Sequence, residues 1–174
     1  MLAAYAAPAA VVWAAAGLLL TALPIATVAL LGVAAYGLLY GLAEVSGASR
    51  PAAPGRAWQV PQDMMIAAGS RRRLLTWGLI LGPGFLTRNP YAGFGVLPLL
   101  VASAGSLRAG IALAAAVGIA HGAGRALALL RDAASPADDP FTMLLSSLRW
   151  RRLDGLLLLM VAATAIACVP GKLG

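Results

Sequence analysis

Arg88, Asn89 and His121 are polar residues set inside long apolar runs, and that placement is what suggests chemistry. Arg88 and Asn89 lie in LLTWGLILGPGFLTRNPYAGFGVLPLLVASA, residues 74–104, and His121 lies in the run 109–131. The midpoints of the two runs fall near residues 89 and 120, so the three side chains sit at one depth. A charged side chain at the centre of a bilayer costs about 2.5–3.5 kcal/mol on insertion scales, so it faces a bundle interior or a wet cavity. The run 74–104 is also broken, by Gly82-Pro83-Gly84 and again by Thr87-Arg88-Asn89-Pro90. Such a break frees backbone N–H and C=O groups, and half-helix ends facing the midplane are one way to bind a solute. Arg88, Asn89 and His121 are therefore the expected substrate-binding residues. The bland alternatives are a surface loop at Arg88 and a neutral His121 bonded to a neighbouring helix.

Two more charges belong to this reading. Glu44, at the end of the second apolar run, is the acid expected to pair with Arg125, one turn beyond His121. Arg125 is also placed to snorkel toward the interface. Catalysis has no comparable signal: no nucleophile–base pair and no His/Cys cluster with metal-ligand spacing stands out, so no catalytic residue, metal or cofactor is assigned. The single cysteine, Cys168, lies in the last apolar run and is expected to be a small buried residue without a disulfide partner.

These residues need elements to hold them, and the composition says which kind. The chain is 61% hydrophobic and 11% charged, against roughly 45–50% and 25% in a soluble domain. The mean hydropathy is +0.86, which places the chain among integral membrane proteins. The expected fold is all-α, a polytopic transmembrane helix bundle forming a single domain. Residues 3–22 and 25–45 are each about 20 residues long, enough to cross roughly 30 Å of hydrocarbon. Pro24 makes them a hairpin. The first run has no Lys or Arg ahead of it, unlike a secretory signal, and reads as a real span. The other spans are 74–104 (broken at 82–90), 109–131 and 155–170, closed by Pro170. Gly37 and Gly41 suit close helix contact, as do Gly110, Ala114, Gly118 and Gly122, which recur every fourth residue. Such ridges could serve a homo-oligomer or a membrane partner as well as the chain itself. Tyr36 and Tyr40 either pack in the core or line a polar face.

The net charge of +7 does not mark a nucleic-acid binder, because the basic residues sit mostly in two connectors, 46–73 and 132–153. That is the distribution of the positive-inside rule. Arg71, Arg72 and Arg73 abut a span, where they fix topology or bind anionic lipid. Residues from Pro140 onward, with Phe141, Leu144, Leu145 and Leu148 at helical spacing, read as a short interfacial helix after an Asp139 cap. If 74–104 crosses once, there are five spans, and nine basic residues, counting Arg131 at the end of its run, lie in or beside the connectors against Arg108 and Lys172 on the other side. If it crosses twice, there are six spans and the count is seven against five. The five-span arrangement obeys the rule better, with the N-terminus and both connectors cytoplasmic and the plasma membrane as location.

Residues 77–131 resemble one half of the CcdA/DsbD-type thiol–disulfide electron-transporting membrane proteins. The resemblance rests on the glycine-rich run WGLILGPGF, a mid-span proline at Pro90, a second apolar half ending LPLLVA, a turn with Arg108 and an Ala/Gly-rich helix. It implies a scaffold with a kinked, glycine-rich span. In that family a Pro-Cys pair at the kink carries electrons; here the kink reads Thr87-Arg88-Asn89-Pro90-Tyr91, so the redox chemistry does not carry over. The layout is also similar to that of small actinobacterial membrane proteins. The expected function is that of a small-solute or ion permease-like protein. The alternative is a non-catalytic subunit or anchor that binds a partner.

Overall fold

The Ala- and Leu-rich runs form helices, as residues of high helical propensity should. A computed structural model describes residues 2–48, 75–76, 78–80, 83–85, 91–134 and 140–170. Among them every regular element is helical: α1 (Leu2–Thr21), α2 (Ala26–Ser46), a 3-10 turn (Ala92–Val96), α3 (Leu97–Ala102), α4 (Leu107–Ala134) and α5 (Pro140–Cys168). Among the described residues, three stretches are long and apolar enough to cross a membrane, Leu2–Thr21, Ala26–Ser46 and Leu107–Ala128. Gly47, at φ +71°, ends α2 in the left-handed conformation that glycine adopts without strain. The Ser106 hydroxyl accepts from the N–H of Ala109 and caps the start of α4.

The helices pack as two antiparallel pairs, α1 with α4 and α2 with α5. Small residues make both contacts possible. Gly17 meets Gly110 and Ala114, Gly118 meets Ala9 and Ala10, and Gly122 meets Tyr5 and Ala6. In the other pair Gly37 meets Leu158 and Ala162, and Gly41 meets Gly155 and Leu159. A methyl group added at Gly118 would lie 2.5 Å from the Ala9 carbonyl oxygen, so the backbones could not approach this closely. Both glycine ridges face partners inside the chain.

Between the pairs runs the broken segment. Gly78 packs on the Ala4 carbonyl, at the first turn of α1. That carbonyl is the one Pro8 leaves without its helical N–H donor. Farther on, the Pro83 carbonyl accepts from Trp13, midway along α1. The 3-10 turn and α3 then rise beside α2, with Leu99 against Gly32. Ala102 and Gly105 border a recess of about 390 Å³ with Thr21, Pro24 and Thr27. Residues 78 and 105 thus lie by opposite ends of α1.

Two expectations change here. Residues 132–153 are expected as a connector carrying a separate interfacial helix. Instead α4 runs to Ala134, and residues 140–152 are the first half of one continuous 29-residue helix, α5. No proline interrupts LRWRRLDGLLLL, and Gly155 is held by the packing of Gly41 and Glu44 against it. Cys168, expected to be buried, is exposed. It shares a groove with Leu157 and Met160 of α5, Leu30 of α2 and Leu100 of α3. Arg71, Arg72 and Arg73 lie outside the described residues.

The exterior is strongly apolar. Val11, Leu19, Val28 and Met160 are each 66–70% exposed, while Glu44 is 1% exposed. Apolar side chains outward and a carboxylate inward is the arrangement a lipid solvent favours.

Candidate functional site at the broken segment

The break leaves backbone groups that must find partners, and side chains from several helices supply them. On one side Trp13 donates its indole N–H to the Pro83 carbonyl at 3.0 Å, a buried bond. The Trp13 ring lies 4.6 Å from that of Phe85 and edge-on to Phe94 at 5.9 Å. Phe85 and Phe94 are themselves edge-on at 5.6 Å, so aromatic packing ties the two halves of the break together.

On the other side the 3-10 turn begins without a capping side chain of its own. Asp154 of α5 serves instead, accepting from the N–H of Gly93 at 2.9 Å. A carboxylate there also answers the partial positive charge of a helix start. Tyr36 of α2 donates its hydroxyl to the Ala92 carbonyl at 2.8 Å and stacks on Tyr40 with ring centres 4.3 Å apart. The pair packs in the core, and Tyr36 also serves the break. Gly95 lies directly against the Tyr36 hydroxyl and Gly93 against the Asp154 carboxylate, so neither position has room for a side chain.

His121 stands beside the first half of the break. Its Nε2 meets Gly84, whose φ of +80° suits glycine alone, and its ring centre lies 5.0 Å from that of Phe94. The Nε2 atom is buried and makes no hydrogen bond with a described residue. Gly122 packs on Tyr5 and Ala6, and Gly118 on Ala9 and Ala10. His121 is therefore level with the second turn of α1, nearer the Leu2 end than the middle. Arg88, Asn89 and Pro90 lie outside the described residues. Of the residues around the break, those described beside His121 are Gly84 and Phe94.

The expected Glu44–Arg125 pair is replaced. Glu44 pairs with Arg151 of α5, Nε to Oε2 at 2.5 Å, with the Glu44 side chain fully buried and Arg151 about a third exposed. Arg125 belongs to α4, which packs on α1, and it couples electrostatically to Tyr5. Glu44 and Arg125 match in depth but stand in different helix pairs.

Trp13 and Asp154 are the side chains at the break that were missed in the sequence. Asp154 did leave a signal: it is an acid directly before the apolar run 155–170. Trp13 left none, for an indole inside an apolar run reads simply as core. Compared with family models, curated proteins and solved structures, the chain gives no match.

Proposed function

We propose that this chain is a polytopic plasma-membrane protein of five spans that passes a small solute or ion through a polar site at the break in residues 74–104. The observation that carries this reading is the path of the broken segment. Among the described residues, Gly78 stands beside Ala4, Pro83 beside Trp13, and Ala102 and Gly105 near Thr21, an order along α1 that favours one crossing over two. A segment that crossed twice would return to the end where it began. Along that path the half-helix starting at Ala92 points its first turn at the interior, with Asp154, Tyr36 and His121 around the break. Discontinuous helices with polar groups at the break are a recurring way to hold a solute within a membrane. Arg88 and Asn89 would complete the site, and the cytoplasmic face would be that of Glu44 and Arg151, as basic connectors favour.

Solute and ion flux in proteoliposomes is the direct test. Flux that is present in the wild type and lost in His121→Ala and Arg88→Leu supports the permease reading. No flux, together with co-purification of a fixed membrane partner, would replace it with the anchor reading. The ridge glycines would not form that partner's surface, because they face α1 and α5 within the chain.

A further inference from the structure

We propose that the outward face of α5 around Arg149 and Arg152 binds the headgroup of an anionic phospholipid, whose chains lie along the same helix toward Met160. The site does not depend on the permease reading; it requires only that the chain lies in a membrane.

Depth is the first observation. Arg151 meets Glu44 two residues before α2 ends at Ser46. Arg149 and Arg152 are within one turn of Arg151, so they stand level with the end of an apolar helix, where headgroups begin. Trp150, 48% exposed between them, is the residue type that concentrates at that level.

Direction is the second. Successive helical residues turn by about 100°, so with Arg151 aimed at Glu44, Arg149 and Arg152 point elsewhere. Both are exposed, and among the described residues neither is ion-paired. Together with Leu148 and Leu153 they border a recess of about 350 Å³. Two guanidinium groups between two leucines match a phosphodiester, since arginine binds phosphate oxygens through paired N–H donors.

The third is the apolar track that continues along α5. Leu153, Leu156, Leu157 and Met160 are all exposed, over about 12 Å beyond Arg152. Leu157 and Met160 then enter an apolar groove of about 330 Å³ shared with Leu30 and Leu100. Cationic groups leading into an apolar track reproduce the order of headgroup and acyl chain. A free phosphate would use only the first part.

The test compares lipids on the full chain in detergent micelles, by native mass spectrometry and thermal unfolding. The probes are phosphatidylglycerol, phosphatidylcholine with the same acyl chains, and glycerol phosphate without chains. Phosphatidylglycerol should be retained preferentially and should raise the unfolding temperature. Each arginine near an anionic surface is worth roughly fivefold in affinity, so R149Q/R152Q should cut the preference about twenty-fold. If that variant does not fold, Arg149→Gln and Arg152→Gln singly should each cut it about fivefold. Equal retention of the two lipids by the wild type would overturn the proposal. So would an undiminished preference in the variants, or equal stabilisation by glycerol phosphate, which would mean a soluble-anion site.

Discussion

Glu44 and Arg151 are 107 positions apart in the chain and 2.5 Å apart in the fold. The pair joins α2 to α5 at the level where both leave the apolar zone. Removing one partner of a buried pair leaves an uncompensated charge, which costs about 3–5 kcal/mol when the site is dry. Arg151→Gln removes one charged partner of the fully buried Glu44 carboxylate and should cost up to about 3 kcal/mol. Glu44→Gln should cost less, because the remaining arginine is partly exposed and can turn to water. Unfolding of both variants in micelles should show that order, and the reverse order would mean that Glu44 is hydrated.

The glycine ridge makes a paired prediction. Gly118→Ala would push a methyl group into the Ala9 carbonyl and should cost about 1–3 kcal/mol by forcing α1 and α4 apart. Gly124→Ala, nearly two turns along on an open face with nothing within 4 Å, should instead gain up to about 1 kcal/mol from helix propensity. Equal effects of the two changes in thermal unfolding would count against the close packing.

Asp154→Ala leaves the Gly93 N–H without its acceptor and should cost about 1–3 kcal/mol, whereas Tyr36→Phe should cost about 1 kcal/mol. Hydrogen exchange reads the effect locally: the Gly93 amide should exchange faster in Asp154→Ala and not in Tyr36→Phe. Asp154→Asn, which keeps an acceptor oxygen, should restore most of the protection.

A five-span chain with a cytoplasmic N-terminus would hold Ser147 on the cytoplasmic side of the membrane. In a Cys168→Ala background, Ser147→Cys should react with an impermeant thiol reagent only after the cells are opened. The Cys168→Ala change itself should leave function intact, because Cys168 is exposed and lies at the far end of α5 from Asp154 and the break.

The transport prediction concerns His121 and Arg88. His121→Ala removes an imidazole whose Nε2 faces Gly84, and it should lower flux without lowering the unfolding temperature by more than a few degrees. Arg88→Leu should fold and abolish flux, since it removes a charge expected inside the bundle. Wild-type flux persisting in both variants would take these residues out of the path.

Much of the local organisation can be read from the residues in order. Long apolar runs, the helix breakers at 82–84 and 87–90, and glycine or alanine at every fourth position from 110 to 122 each act through near neighbours in the chain. Hydropathy also gives an approximate depth, because position along an apolar run converts to position along the bilayer normal, although His121, at the middle of its run, stands nearer the Leu2 end of α1 than the middle. Depth is one coordinate, and the partner of Glu44 depends on the other two. Arg125 and Arg151 are both within reach of its level; only the pairing of α2 with α5, and of α1 with α4, selects Arg151. The same holds for Asp154 and Trp13, whose bonds to Gly93 and Pro83 span 61 and 70 residues. Those contacts exist because the freed backbone of the break must be satisfied by whichever side chains the packed helices bring beside it. The apolar runs and their interruptions were therefore set by composition and local propensity, while lateral packing, which hydropathy does not encode, decided which polar groups meet.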